Sequence, residues 1–266
     1  MSERVLVTIE AHVAHVRLNR PDKRNGLDLS MFEAVIAAGE AVASDKSVRA
    51  VVLSGEGKAF CAGLDWGAFL AMGAEVGQKL LARDLEKSPA NIAQRICWVW
   101  QEVPVPVIAA VQGPAFGGGL QLALAADLRI VAPDAQLSVM EIKYGLIPDM
   151  SATKTLTRLV RADLVRELVF TGRVVGADEA VAIGLATRKS EQPLADALAL
   201  ARDIAARSPD AICAAKRLFS TADQLGTAEA FQLETMLQLS LLGSPNQIEA
   251  VGSVMQKREP SFNDRT

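Results

Sequence analysis

Phe60-Cys61-Ala62-Gly63-Leu64-Asp65 and, further along, Gly113-Pro114-Ala115-Phe116-Gly117-Gly118-Gly119-Leu120 are the stretches that decide how this 266-residue chain folds. Each follows a short apolar run, residues 50–53 and then 107–111, that reads as a buried strand. The second leads into an Ala/Leu-rich stretch that reads as a helix running toward Ala126. Two glycine-bearing turns of this kind can aim main-chain N–H groups at one oxygen. Donors fixed in advance around an oxygen that gains charge are each worth about 3 to 4 kcal/mol of barrier.

The same strand-then-helix order recurs along the first two thirds of the chain. Residues 5–9 and 13–18 alternate as paired strands, and Ser30 with Glu33 three residues later reads as a capping box opening a helix through Phe32, Val35, Ile36, Gly39, Val42 and Ala43. Residues 128–131 and 136–139 are further strands across a Pro133-Asp134 turn. This order predicts an α/β fold. Residues 73–89 form the most loop-like internal segment, with a surface helix as the alternative. From Pro193 onward the pattern is helical: one stripe through Leu194, Ala197, Leu198, Ala201, Ile204 and Ala205, a break at Ser208-Pro209, a second helix, a third ending at Gly243, and a last short one.

Composition narrows the function classes. A chain that is 50% hydrophobic and 22% charged can bury a large core, as one elaborate domain or a domain with an appendage. The net charge of -3 and the absence of a Lys/Arg block argue against nucleic acid as a partner. Cys61, Cys97 and Cys213 have no C-x-x-C spacing, so neither a disulfide framework nor a metal site is expected, and the reducing cytoplasm is the expected location. Charged residues interrupt every apolar run before about 18 residues, and Met1-Ser2-Glu3-Arg4-Val5 opens no signal-length segment, so neither membrane nor export is expected. His12 and His15, both in the first strand pair, lie far from the glycine segments, which disfavours a Ser-His-Asp hydrolase.

Leu18-Asn19-Arg20-Pro21-Asp22-Lys23-Arg24-Asn25, the two glycine segments, Thr171-Gly172-Arg173, Ala177-Asp178-Glu179-Ala180 and Gly184-Leu185, in that order, resemble the crotonase family, the enoyl-CoA hydratases and isomerases. The resemblance implies a spiral of ββα units over residues 1–192, carrying the active site, and a helical C-terminal segment over 193–266. In related proteins that segment packs between subunits, which implies a homotrimer or a homohexamer built as a dimer of trimers. It also implies an acyl-CoA partner, with CoA arriving as part of the substrate and no separate cofactor or metal. The backbone N–H groups of Leu64 and Gly118 would hold the thioester oxygen, Gly118 with the help of a helix dipole. Backbone groups of Ala62 and Leu64, and the Arg24 side chain, would contact CoA, while Asp65 fixes the loop. Lys257 and Phe262 would reach a CoA on a neighbouring subunit, and residues 73–89 correspond to a flap near the acyl pocket.

Removing a proton next to a thioester carbonyl needs oxygen donors and a carboxylate near the α-carbon. The family's hydratases place two glutamates at the substrate double bond. Here those positions are Gln121 and Glu141. A carboxamide neither takes nor gives a proton near neutral pH, so Gln121 is left a substrate-positioning role. Asp149, eight residues after Glu141, resembles the second acid of the dienoyl-CoA isomerase branch, although that branch also carries an acid where Gln121 stands. Glu141 is thus read as the main base and Asp149 as the second acid, against the plainer readings of a surface glutamate and a Pro-Asp turn. Double-bond isomerisation ranks ahead of hydration, and a non-catalytic acyl-CoA-binding protein is the rival class. Trp66, Phe69, Leu120 and Ile147 are read as the apolar side of the site, and Trp98 and Trp100 as core.

Overall fold

The computed structural model describes residues 3–72, 74–83 and 88–266. In chain order the elements are β1 (Val5–Glu10), β2 (Val13–Leu18), α1 (Leu29–Ser44), β3 (Ala50–Gly55), α2 (Trp66–Met72), α3 (Ala74–Leu81), α4 (Ile92–Glu102), β4 (Val107–Val111), β5 (Pro114–Phe116) and α5 (Gly118–Leu124). Then follow β6 (Leu128–Val131), β7 (Gln136–Ser138), α6 (Ala152–Leu159), α7 (Ala162–Thr171), β8 (Val175–Gly176), α8 (Ala177–Ala182) and β9 (Arg188–Lys189). Four helices close the chain: α9 (Pro193–Ala205), α10 (Pro209–Thr221), α11 (Thr227–Leu241) and α12 (Pro245–Gln256).

The strands form a six-stranded sheet, β1-β2-β3-β4-β6-β9, and a smaller β5-β7-β8 sheet. Only β1 runs antiparallel within the larger sheet. Its central strands are apolar on both faces, as parallel strands covered on both sides must be. On one face Val16, Val51, Leu53, Ala109 and Val111 join the main core with Phe32, Ile96 and Trp100. The opposite face, with Val13, Val52, Ile108 and Ile130, is covered by the alanine stripe Ala197, Ala201 and Ala205 of α9. The expected α/β class is what the chain adopts.

Local chemistry explains the element boundaries. Asp28, not Ser30, caps α1: its carboxylate accepts from Met31 N at 2.8 Å, and Ser30 already lies inside the helix. The aspartate wins because Arg4 holds it in place, 2.6 Å away. Asn91 and Gln94 make a reciprocal capping box at the start of α4. The expected flap falls partly outside the described residues; of the remainder, Ala74–Leu81 is helical.

Asn25 fastens the turn after β2 to the chain entering the Phe60 segment. Fully buried in a left-handed conformation that asparagine tolerates, it donates through Nδ2 toward the carbonyls of Glu56, Ala59 and Phe60 at 2.9 to 3.1 Å and accepts from Arg20 N at 2.8 Å. Asn25→Ala strands those buried groups, and the expected result is a loss of about 2–4 kcal/mol in urea unfolding. An unchanged midpoint and slope would remove Asn25 from this role.

Candidate active site

The two glycine segments meet. Cys61 N donates to Pro114 O and Phe116 N to Cys61 O, both at 3.1 Å, which docks the first segment onto β5. Its other edge is pinned to the chain entering α1: Ala62 N donates to Arg24 O, Leu27 N to Gly63 O and Asp65 N to Leu27 O, at 2.8 to 2.9 Å. In this parallel bridge Leu27 makes both hydrogen bonds, and both go to the residues flanking Leu64 rather than to Leu64 itself. Leu64 N therefore faces away from Leu27. Gly118 stands close by: a Cβ built on Gly63 would lie 2.6 Å from Phe116 O and 3.8 Å from Gly118 N. Among the described residues, no hydrogen bond uses either Leu64 N or Gly118 N.

Both residues line a cavity of about 120 Å³ together with Glu141 and Asp149. Leu27, Phe116, Met140 and Met150 supply apolar wall, and Trp66 packs on Tyr144 with ring centroids 4.7 Å apart. A larger cleft, about 530 Å³, lies between α4 and the C-terminal helices. Its buried cation, Lys216, is already held by Trp100 O, Val105 O and Asp127 at 2.7 to 3.2 Å, so it offers no free chemistry.

Glu141 opens a single 3-10 turn, Glu141–Tyr144, that follows β7 and ends at Gly145 in the left-handed region. Its Oε1 accepts from Gln121 Nε2 at 2.6 Å, while Oε2 is buried and makes no hydrogen bond. Burial pushes the carboxyl above the ordinary glutamate value, the nearby Asp149 adds to that, and the Gln121 hydrogen bond works in the opposite sense. Asp149 sits at the rim, open to solvent on one side, and the protein packed around its carboxyl raises its pKa as well. Gln121 is itself 1% exposed, and its Oε1 accepts from Met150 N at 2.9 Å and Ala152 N at 3.3 Å.

Asp65 caps α2, accepting from Ala68 N at 3.1 Å, and pairs with Arg20 at 2.8 Å; the N–H bond and then the guanidinium hold its carboxyl below the usual range. Arg24 lends its carbonyl to Ala62, and its residue is exposed. Of the four residues read as apolar wall, Trp66 and Ile147 line the cavity. Leu120 and Phe69 do not: Leu120 is in the core, and the Phe69 ring packs edge-on against Phe32. Both lie on helices whose inward stripe serves the core first. Trp100 is core and Trp98 is half-buried. Lys257 and Phe262 lie away from their own chain's cavity, Phe262 O accepting from Arg49. The helix after Gly118 is only seven residues long, so a bare N–H, rather than a long helix dipole, is what this position offers.

Met140, Tyr144 and Met150 were not legible as cavity residues. Their only signal was proximity in sequence to Glu141 and Asp149, because an irregular segment has no period from which to read which side chain turns inward.

Comparison with known proteins gives a consistent outcome. A family model described as enoyl-CoA hydratase/isomerase matches residues 8–265. The mitochondrial Delta(3,5)-Delta(2,4)-dienoyl-CoA isomerase of Rattus norvegicus is 32% identical, over 96% of this chain and 80% of its own. The crystal structure of an enoyl-CoA hydratase from Bacillus anthracis superimposes with a TM-score of 0.90 at 29% identity, covering 97% of this chain and 98% of that one. One from Mycobacterium smegmatis gives 0.85 at 31% identity, covering 98% and 99%.

Proposed function

Because the chain belongs to the enoyl-CoA hydratase/isomerase family, with its crotonase-type α/β fold, we propose that it shifts a double bond in an acyl-CoA thioester through an enolate. The observation that carries this reading is the unpartnered Oε2 of Glu141, in the same cavity as Leu64 and Gly118, whose N–H groups also lack acceptors among the described residues. In the proposed reaction the thioester oxygen accepts from Leu64 N and Gly118 N. Glu141 Oε2 removes a proton from C2, and the C–H electron pair moves toward that oxygen. The enolate collapses with the double bond displaced, and a proton is delivered to C4 of a 3-enoyl chain or C6 of a 3,5-dienoyl chain. Glu141 can return the proton over the shorter distance, and Asp149 serves the longer one. No atom is gained or lost, and no cofactor is required beyond the CoA of the substrate. Arg24 and backbone groups of Ala62 and Leu64 hold that CoA, on a loop that Asp65 and Arg20 keep rigid.

Hydration of a 2-enoyl-CoA is the second reading, favoured by the names of the structural neighbours. The test is turnover of 2-enoyl-, 3-enoyl- and 3,5-dienoyl-CoA panels beside direct binding of acyl-CoA. Isomerised product in excess of hydrated product is expected. Tight binding with no product on any panel would replace the enzyme by an acyl-CoA-binding protein. Asp149→Asn should lower turnover of 3,5-dienoyl-CoA by about tenfold or more while affecting 3-enoyl-CoA less; equal losses would deny Asp149 its separate role.

A pH dependence follows from the raised carboxyl. Only ionised Glu141 can take a proton, so kcat/KM should fall as pH drops through a midpoint above the ordinary value of 4.5. A limb at or below that value would contradict the assignment.

Phe219, Phe231, Leu239, Val254 and Met255 on α10 to α12 are all strongly exposed, which supports assembly through this segment as a homotrimer or a dimer of trimers. Light scattering on the purified chain reads this directly. No described helix is long and apolar enough to cross a membrane, and the free cysteines support a cytoplasmic location.

A further inference from the structure

Glu141 stands on a turn that is weakly tied to the rest of the fold. Ile142 to Ile147 are all exposed, and the main-chain bonds of the turn close on itself: Lys143 N donates to Met140 O, Gly145 N to Ile142 O and Leu146 N to Glu141 O, at 3.0 to 3.1 Å. A short exposed turn of this kind opens readily. The loop that carries Leu64 is the opposite, pinned on one edge to β5 and on the other to the chain entering α1, with Asp65 held by Arg20 at 2.8 Å. A base must stay within reach of the carbon beside the carbonyl that Leu64 N holds, so chemistry through both needs a tie between turn and loop.

Three side-chain contacts hold the turn. At its start Gln121 donates to Glu141 Oε1, and behind it Ile142 and Lys143 lie against Gly172 at the end of α7. At its far end stands Tyr144, 54% exposed, whose ring lies on Trp66 with centroids 4.7 Å apart and planes inclined at 34°. Trp66 is the first residue of α2, two residues after Leu64. Of the three contacts, only this aromatic pair reaches the donor-bearing segment. Its separation is that of a favourable ring pair, which shifts an equilibrium by about two- to tenfold.

We propose that Tyr144 is a positioning residue, a strut seated on Trp66 that fixes the exposed Glu141 turn against the loop presenting Leu64 N and so sets the separation of base and oxyanion donor. It rests on the reading of Leu64 and Glu141 given above. Released, the turn opens more often, and the fraction of molecules holding the carboxylate at C2 falls with it. The loss belongs in kcat, because the loop is pinned independently of the pair. Two rings that merely lined an acyl pocket would behave otherwise: each would make its own contact with the chain, and their losses would multiply and appear in KM.

Amide hydrogen exchange in the free protein reads the strut without any substrate. In Trp66→Ala, a change outside the turn, the Lys143, Gly145 and Leu146 amides should exchange about two- to tenfold faster, as they should in Tyr144→Ala. Tyr144→Phe keeps the ring and should keep both the exchange rates and kcat of wild type. On acyl-CoA each alanine variant should lose about two- to tenfold in kcat, and the double variant no more than either single one, since a strut is removed only once. Exchange at those three amides indifferent to Trp66→Ala, losses that multiply in the double variant, or a Tyr144→Phe protein as impaired as Tyr144→Ala would each overturn the strut. Faster exchange in a protein silent on every acyl-CoA would keep the tether and sink the proposed enzyme, whereas turnover with unmoved exchange would do the reverse.

Discussion

Glu141→Gln should retain at most about one hundredth, and as little as one ten-thousandth, of the wild-type isomerisation rate, because a carboxamide of nearly the same shape cannot accept the C2 proton. The loss belongs in kcat, with KM for acyl-CoA nearly unchanged, since the group acts on the reacting carbon rather than on the CoA. The same substitution should stabilise the fold at neutral pH. Burial raises the pKa of Glu141, so the folded state binds this proton more tightly than the unfolded chain does. Ionising the carboxylate therefore costs the folded protein stability, fully so above the raised value and not at all below the ordinary one. Thermal melts should show Glu141→Gln above wild type at pH 7, with the gap closing as pH falls through that window. A variant that is slower but no more stable would mean the carboxylate is better solvated than its position indicates. A variant that keeps full activity would remove Glu141 from the chemistry.

Gly63→Ala should cost about 10²- to 10³-fold in kcat/KM, the range for removing a donor to a developing oxyanion. Gly63 has φ +87°, a region a side chain strongly disfavours, and its new Cβ would lie 2.6 Å from Phe116 O. Phe116 immediately precedes Gly117 and Gly118, so relief of the clash must part the two loops that carry the Leu64 and Gly118 amides. A structural role alone would lower stability and leave activity per folded molecule intact. The informative readout is therefore kcat/KM normalised to folded protein, and a value near wild type would contradict the convergence of the two amides.

How much of this was legible in the sequence varied with the kind of order each part has. Strands β1 to β4, β6 and β7 and the C-terminal helices follow apolar periodicity, and their observed bounds fall close to the runs that predicted them, whereas β5, β8 and β9 are too short to show a period and were not read. The start of α1 did not, because Ser30 offers a capping box on local grounds while the winning cap, Asp28, is selected by Arg4, which lies just before β1. Tertiary contacts of that kind leave no local trace. Glu141, Asp149 and Gln121 could be named through motif position, but the engagement of both lone pairs of Gln121 by Met150 N and Ala152 N emerges only when α5 meets the start of α6. Leu120 and Phe69 show the converse: adjacency to a motif suggested the site, and helical phase sent them to the core.

In the proposed reaction main-chain N–H groups of two loops and one carboxylate together form an enolate at C2, and proton exchange reads that step apart from any later one. Incubated in deuterated buffer with a saturated acyl-CoA, which has no double bond to move, the wild-type protein should wash deuterium into C2 well above the buffer rate, while Glu141→Gln should not. Exchange no faster than buffer, or exchange indifferent to Glu141→Gln, would contradict the account.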